Sequence, residues 1–345
     1  MKGFQVGVVG ASGAVGRRMV SILESRRFPV GRLRLFASER SAGQRLEFAG
    51  EPVEIERLTP ESFTPDIDLL LFSAGASVSR EYAPRAAALG IFVVDNSSAW
   101  RMEPGIPLVV PEVNPEALSP ESLIIANPNC STIQMVCALY PLHRAARLRR
   151  VVVSTYQAVS GAGQKAIREM EDQLESLRGG REVKPAVFPH QIAFNLIPQI
   201  DLFLDNGYTK EEMKMVNETR KIMGEPSLPV TATCVRVPVL VAHSEAVTVD
   251  LEKPLEAGAA REILARAPGV EVIDAPEAGR YPMPLMAAGR DAVYVGRIRR
   301  DLSSPNGLSF WVVSDNLRKG AALNAVQIAE CLFQKGFLSS RRGGH

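Results

Sequence analysis

Apolar positions along this chain follow two periods, and their alternation outlines a fold. The run Phe4-Gln5-Val6-Gly7-Val8-Val9 is rich in β-branched residues and stops at Gly10, too short for a helix and suited to a buried strand. Beyond it, Val15, Met19, Ile22 and Leu23 recur at helical spacing until Pro29 and Gly31 end the helix, and a second strand is expected at 33–37. Further strands are expected at 67–72, 91–94 and 123–126, with a helix within 78–89. Strands alternating with helices imply a parallel sheet with right-handed crossovers. That is a doubly wound, Rossmann-like α/β layer whose ligands lie at the carboxyl ends of its strands.

After about residue 127 the texture changes. Segments 151–156 and 187 onward read as strands, and 165–178 reads as an amphipathic helix through Ile167, Met170, Leu174 and Leu177. Residues 231–251 are strongly β-branched. Longer uninterrupted series of strands imply a mixed or antiparallel sheet, hence a second, α+β domain. Near the end, Leu317, Ala321, Val326, Ala329 and Phe333 mark one helix face. A terminal helix of this kind packs back on the first domain. The expected division is therefore 1–127 completed by a helix at 316–335, and 128–315. The tail 339–345 is expected to fray.

Composition narrows the function. The chain has 345 residues, 46% hydrophobic and 23% charged, as in a globular protein of two domains. A formal charge of +2 is too even for a nucleic-acid binder acting through bulk electrostatics. No apolar run is long enough for a membrane helix, and Gly7, Gly10, Gly13 and Gly16 interrupt any signal-like core, so the cytoplasm is the expected location. Cys130, Cys137, Cys234 and Cys331 are too sparse for a disulfide framework and lack the spacing of a metal site.

Two segments carry chemistry. Gly10-Ala11-Ser12-Gly13-Ala14-Val15-Gly16 joins the first strand to the first helix, where glycines allow a tight turn, backbone approach to a pyrophosphate and close helix packing. An NAD site wants an acidic side chain after the second strand; here Ser38, Arg40 and Ser41 form a cradle for a 2′-phosphate. NADP is the expected cofactor, with Glu39 the one feature against it. The second segment is Asn127-Pro128-Asn129-Cys130-Ser131-Thr132, followed by apolar residues at helical spacing. A free cysteine is most often plain core packing. Asn is a strong N-cap, however, so Cys130 falls in a first helical turn, where the macrodipole stabilises a thiolate. Cys137, Cys234 and Cys331 are expected to be ordinary buried thiols. A thiolate beside a nicotinamide adds to an aldehyde, loses hydride and leaves a thioester for a second nucleophile. Of the histidines, His143 sits in a basic helix end and His345 at the terminus, leaving His190 and His243 as candidates for the general base, between which composition does not choose.

The motifs GASGAVG, DNSSAWR (95–101), NPNCST, STYQAVSGAG (154–163), FPHQIAFN, EEMKMVNETRKI (211–222) and RVPVLVAHSEAV (236–247) occur in this order along nearly the whole chain. Jointly they resemble the aspartate-β-semialdehyde dehydrogenases, most closely their shorter bacterial branch. The resemblance implies reversible NADP-dependent conversion of L-aspartate 4-semialdehyde and phosphate into L-4-aspartyl phosphate, feeding lysine, threonine and methionine synthesis. It also implies a homodimer or dimer-based tetramer built through the second domain. It makes Cys130 the nucleophile, His243 the general acid–base and Gln157 part of a substrate-positioning loop. Arg236 would hold the substrate carboxylate, Glu211 its ammonium, and Arg101 with Lys214 the phosphate. Ser160, Gly161 and Asn316 would join the glycine turn and Ser38 around the cofactor.

Spacing tests these roles. Glu211 and Lys214, three apart, share a helix face, as a common ligand or a mutual ion pair requires. Arg236 and His243 are seven apart, so on one unbroken strand they would face opposite ways. They share a site only if the strand breaks between them, and Pro238 is the expected break. Two alternatives stand beside this reading. One is another acyl-phosphate reductase, such as one acting on N-acetyl-γ-glutamyl phosphate, whose substrate has no free ammonium for Glu211. The other is a non-catalytic Rossmann homologue, which would have lost the cysteine, the histidine or the phosphate cations.

Overall fold

A computed structural model describes residues 3–338. The chain divides into two compact units, one formed by residues up to Asn129 with the segment from Ala321 onward, the other by Cys130–Gly320. Among the described residues no helix is long and apolar enough to cross a membrane.

The first unit is a seven-stranded sheet. Its strands are β1 (Phe4–Val9), β2 (Val30–Ala37), β3 (Arg45–Phe48), β4 (Glu51–Arg57), β5 (Leu69–Phe72), β6 (Phe92–Asp95) and β7 (Ile124–Ala126), in the order β3-β4-β2-β1-β5-β6-β7. Every neighbouring pair is parallel except the β3–β4 hairpin. The sheet is buried on both faces, which is why its strands read as near-continuous apolar runs. On one face Leu69 and Leu71 pack with Met19, Ile22 and Leu23 of α1 (Ala14–Ser25) and with Val326 and Ile328 of the C-terminal helix Leu323–Gln334. On the other, Leu70 and Phe72 meet Ala83 and Ala86 of α2 (Ala76–Ala88). The hairpin is absent from the sequence reading because β3 is short and its two-residue turn, Ala49-Gly50 with φ 52° and 80°, lacks the usual Asn-Gly or Asp-Gly signal.

The second unit contains α3 (Cys130–Ala146), β8 (Leu148–Gln157), α4 (Gln164–Arg178), α5 (Lys210–Met223), β9 (Val230–Arg236) and β10 (His243–Leu251). It continues with α6 (Ala257–Ala265), β11 (Val270–Val272), α7 (Pro284–Ala287), β12 (Val293–Arg300) and β13 (Gly307–Ser314); the C-terminal helix of the first unit is then α8. The mixed sheet runs β11-β12-β13-β10-β8-β9, with β10 antiparallel to β8 and β13 and with β9 parallel to β8.

Two expectations need correction here. No strand forms from 187 onward. Its backbone donors are met by side chains of α4 rather than by a ladder: Glu169 accepts from Val187 N, and Gln173 Oε1 from Ile192 N and Ala193 N. Residues 316–320, expected with the terminal helix, belong to the second unit. There Asp315 accepts from the amides of Leu317, Arg318 and Gly289, and a π turn over Arg318–Ala322 precedes α8. The expected tail at 339–345 lies outside the described residues.

Candidate active site

Cys130 is the first residue of α3, which has no acidic side chain in its first turn, so the helix's positive end faces the thiol without a competing charge. Cys130 is half-buried, whereas Cys137 and Cys234 are buried, and burial pushes the Cys234 thiol well up. Cys331 is only half-buried, against expectation. A Cβ on Gly320 would stand 2.8 Å from the Cys130 Cβ, so a side chain there would press on the thiol-bearing turn.

The chain does break between Arg236 and His243. Arg236 ends β9, His243 begins β10, and residues 237–242 lie outside both strands. β8 runs between these strands, with Gln157 paired to Arg236 and Tyr156 to Ser244. The ladders therefore bring Arg236, Gln157 and His243 to one end of the sheet, all three buried. Gln157, expected in a loop, is the last residue of β8. Its Nε2 donates to Ser131 Oγ at 2.7 Å and to Glu211 Oε1 at 3.3 Å, linking the cysteine's turn to α5.

The Arg236 guanidinium donates to the Ala158 carbonyl at 2.6 Å and stands 5.9 Å from the Phe188 ring. Burial lowers its pKa, while Glu211, Cys130 and Cys234 act on it in the opposite direction. Glu211 and Lys214 share a face of α5 and bond to each other at 3.1 Å; Lys214 also reaches Asp201 at 2.9 Å. The ion-pair arrangement is thus realised together with the common face. A capping box fixes this turn, with Thr209 Oγ1 accepting from Glu212 N and the Glu212 carboxylate accepting from Thr209 N.

His243 Nδ1 accepts a hydrogen bond from Ala158 N at 3.0 Å, so the neutral ring carries its proton on Nε2. Nε2 is buried without a partner. Burial, with the charge of Arg236 second, lowers the His243 pKa well below its ordinary value. A Cβ on Gly161 would lie 2.9 Å from Arg236 Nη1 and 3.3 Å from His243 Nε2, so glycine keeps space open over both. His190 is exposed, whereas His243 is buried at the end of the sheet with Arg236 and Gln157. Ala242, just before it, has φ 78°, and its amide is held by Asn316 Oδ1 at 2.9 Å. Asn316 Nδ2 in turn donates to Ser160 Oγ at 3.0 Å, so Ser160, Gly161 and Asn316 gather around the same end of the sheet.

In the first unit, Gly10 has φ 85°, and a Cβ there would meet Ser73 O at 2.5 Å; one on Gly16 would collide with Gly10 O. Ala11 is buried behind the turn, Ser12, Ala14 and Val15 are half-buried, and Gly13 is exposed at the uncapped start of α1. Past β2, Ser38, Glu39 and Arg40 are exposed and Ser41 is buried. Glu39 Oε1 accepts from Arg57 Nη1 at 3.1 Å. Arg101, otherwise readable as a solvated arginine, is buried and donates to the carbonyls of Asn127 and Asn96 at 3.0 and 2.8 Å.

The family model described as the semialdehyde dehydrogenase NAD binding domain matches residues 5–120, and that of the semialdehyde dehydrogenase dimerisation domain matches 139–319. Aspartate-semialdehyde dehydrogenase of Aquifex aeolicus is 56% identical, over 97% of this chain and 100% of that protein. The chain belongs to the aspartate-semialdehyde dehydrogenase family. The Bacillus subtilis member is 51% identical over 96% of this chain and 98% of its own. The crystal structure of aspartate semialdehyde dehydrogenase II from Vibrio cholerae, described as complexed with ASA, is 48% identical with a TM-score of 0.94, covering 97% of this chain and 99% of that one. A structure of the Candida albicans enzyme with NADP is 26% identical, with a TM-score of 0.77 over 96% and 99%.

In this family member several site groups escape the sequence reading. Ser131, the Ala158 amide, Gln134 and Glu245 are all buried around the row that holds His243. Only Glu245 carried a signal, since its spacing of two from His243 puts a carboxyl on the same face of a core strand.

Proposed function

We propose that the chain catalyses reversible, NADP-dependent, phosphorylating oxidation of L-aspartate 4-semialdehyde to L-4-aspartyl phosphate through a thioester on Cys130, supplying lysine, threonine and methionine synthesis. The observation that carries the reading is the end of the second sheet, where Arg236, Gln157 and His243 stand in one buried row and Gln157 joins Glu211 to the Cys130 turn.

The roles follow from the chemistry of each group. The Cys130 thiolate, favoured by the helix terminus and the nearby Arg236 charge, adds to the aldehyde carbon. The Nε2–H of neutral His243 donates to the oxygen that becomes an alkoxide, and Gly161 leaves room for it. A nicotinamide cofactor held by the glycine turn would supply the hydride acceptor that oxidation to the thioester requires. A phosphate oxygen then attacks the acyl carbon and expels the thiolate. Arg236 pairs with the substrate carboxylate and Glu211 with its ammonium, while Gln157 sets their separation. Lys214 and Arg101 remain the cations proposed for phosphate, each already oriented by protein acceptors.

The glycine turn suits a pyrophosphate, because its close backbone packing leaves the uncapped amides of α1 free. NADP rather than NAD is supported by Arg40 and by the bond that ties the Glu39 carboxylate to Arg57. The second unit is proposed to pair with its copy in a homodimer or dimer-based tetramer.

C130A should lose phosphate-dependent NADPH formation by about a thousandfold or more while still binding cofactor; substantial turnover would end the thioester mechanism. The N-acetylated aldehyde should be turned over far more slowly than the free amino aldehyde, because it offers Glu211 no cation. The reverse preference would point to an N-acylated acyl-phosphate reductase.

A further inference from the structure

One buried carboxyl takes no part in the steps above. Glu245 lies two residues after His243 on the same face of β10 and is completely buried. Register sets it beside Thr155 of β8 and, beyond that, Cys234 of β9. From the helix side its polar neighbour is Gln134, one turn past Cys130 on α3. Gln134 Nε2 donates to the main-chain oxygen of His243 at 3.4 Å, while Gln134 Oε1 has no donor. Neither Glu245 oxygen has a hydrogen-bond partner of ordinary geometry.

Both Glu245 oxygens and Gln134 Oε1 are thus buried acceptors to which no donor of ordinary geometry is directed. A proton on Glu245 supplies the missing donor. We infer that Glu245 is a positioning residue: as an uncharged carboxylic acid it donates its O–H to Gln134 Oε1, fixing the amide that ties the Cys130 turn of α3 to His243. The surroundings agree. Burial pushes Glu245 well above the usual carboxylate range, outweighing the Gln134 side-chain contact, which acts in the opposite direction. The charged and titratable groups on the packed elements include Cys234 and Arg236 of β9, Glu211 and Glu212 of α5, and Cys130 opening α3. Arg236 is the cation among them, and it is engaged by Ala158 O.

The inference rests on the proposed roles of Cys130 and His243, but its spectroscopic test does not. The infrared difference between wild type and E245Q at neutral pH should contain the carbonyl stretch of a protonated carboxylic acid; the paired bands of an ionised carboxylate would overturn the proposal. E245Q, which keeps a neutral donor in the same place, should hold kcat within about threefold of wild type. E245L, which leaves Gln134 Oε1 without a donor, should lower kcat by about tenfold or more with KM little changed. E245L at wild-type kcat, or E245Q falling as far as E245L, would refute the positioning role. Should E245L fail to fold, Q134L replaces it and must show the same selective loss of kcat; a Q134L enzyme at full kcat refutes the role equally. An active C130A would instead remove the nucleophile assignment and leave the state of Glu245 standing.

Discussion

At the scale of single residues, burial does more to set the chemistry than charge count. Arg236 is buried, bonded to Ala158 O and beside Phe188, and its planar fork matches a carboxylate in two parallel hydrogen bonds. Lysine keeps the charge and loses the fork, so R236K should raise KM for the aldehyde by about tenfold or more, with a smaller change in kcat, in steady-state assays. His243 makes a prediction about pH. Its folded pKa lies well below the ordinary 6.5, so on acidification the unfolded chain takes up this proton first. Stability contributed through this group is therefore intact above pH 6.5 and falls below it, by up to about 1.4 kcal/mol for each pH unit. H243Q should unfold with a shallower acid dependence than wild type in urea titrations at neutral and mildly acidic pH. An identical slope would mean that His243 protonates freely in the folded protein.

Among elements, α5 shows how local sequence logic serves the site. Its capping box orders the turn that carries Glu211, and Glu212 also accepts from Cys234 N at 2.9 Å, fastening the helix start to β9. T209A should cost about 1 kcal/mol in urea unfolding and raise KM while leaving kcat close to wild type, because it loosens Glu211 without touching the thiol. Strands β1, β5 and β6 and helices α1 and α4 were legible because each is a clean periodic run bounded by Gly, Pro or a polar turn. The β3–β4 hairpin was not, since its signal lies in backbone φ at Ala49 and Gly50 rather than in residue type. Nor was the irregular path after 187, which depends on Glu169 and Gln173 reaching across from α4. At the site, Cys130 could be read from its place before a helix, and the break between Arg236 and His243 from Pro238. What local pattern could not supply was register, and register alone brings Gln157 between the two and sets Glu245 beside Thr155 and Cys234.

On the scale of the whole molecule, the first unit is closed by the far end of the chain. The chain leaves this unit after Asn129 and returns at Ala321, and α8 then supplies Leu323, Val326, Ile328, Ala329 and Leu332 to the core shared with α1 and the sheet. These are not surface decorations: all five are almost fully buried, and Asn324 beside them donates to Val109 O and Asn127 Oδ1. A piece ending at Asn129 would expose the apolar residues of α1, β5 and β6 against which α8 packs. The unit is therefore a folding unit assembled from two distant segments, and its stability must depend on the second. I328A, which empties a buried site on α8, should destabilise the protein by about 2–5 kcal/mol. Because Ile328 shares a core with α1, whose uncapped start follows the glycine turn, the same substitution should weaken NADP binding in calorimetry. Activity at saturating cofactor should change much less, since Cys130, His243 and Arg236 all belong to the other unit. A loss of turnover at saturating NADP, with cofactor affinity intact, would contradict this division of labour.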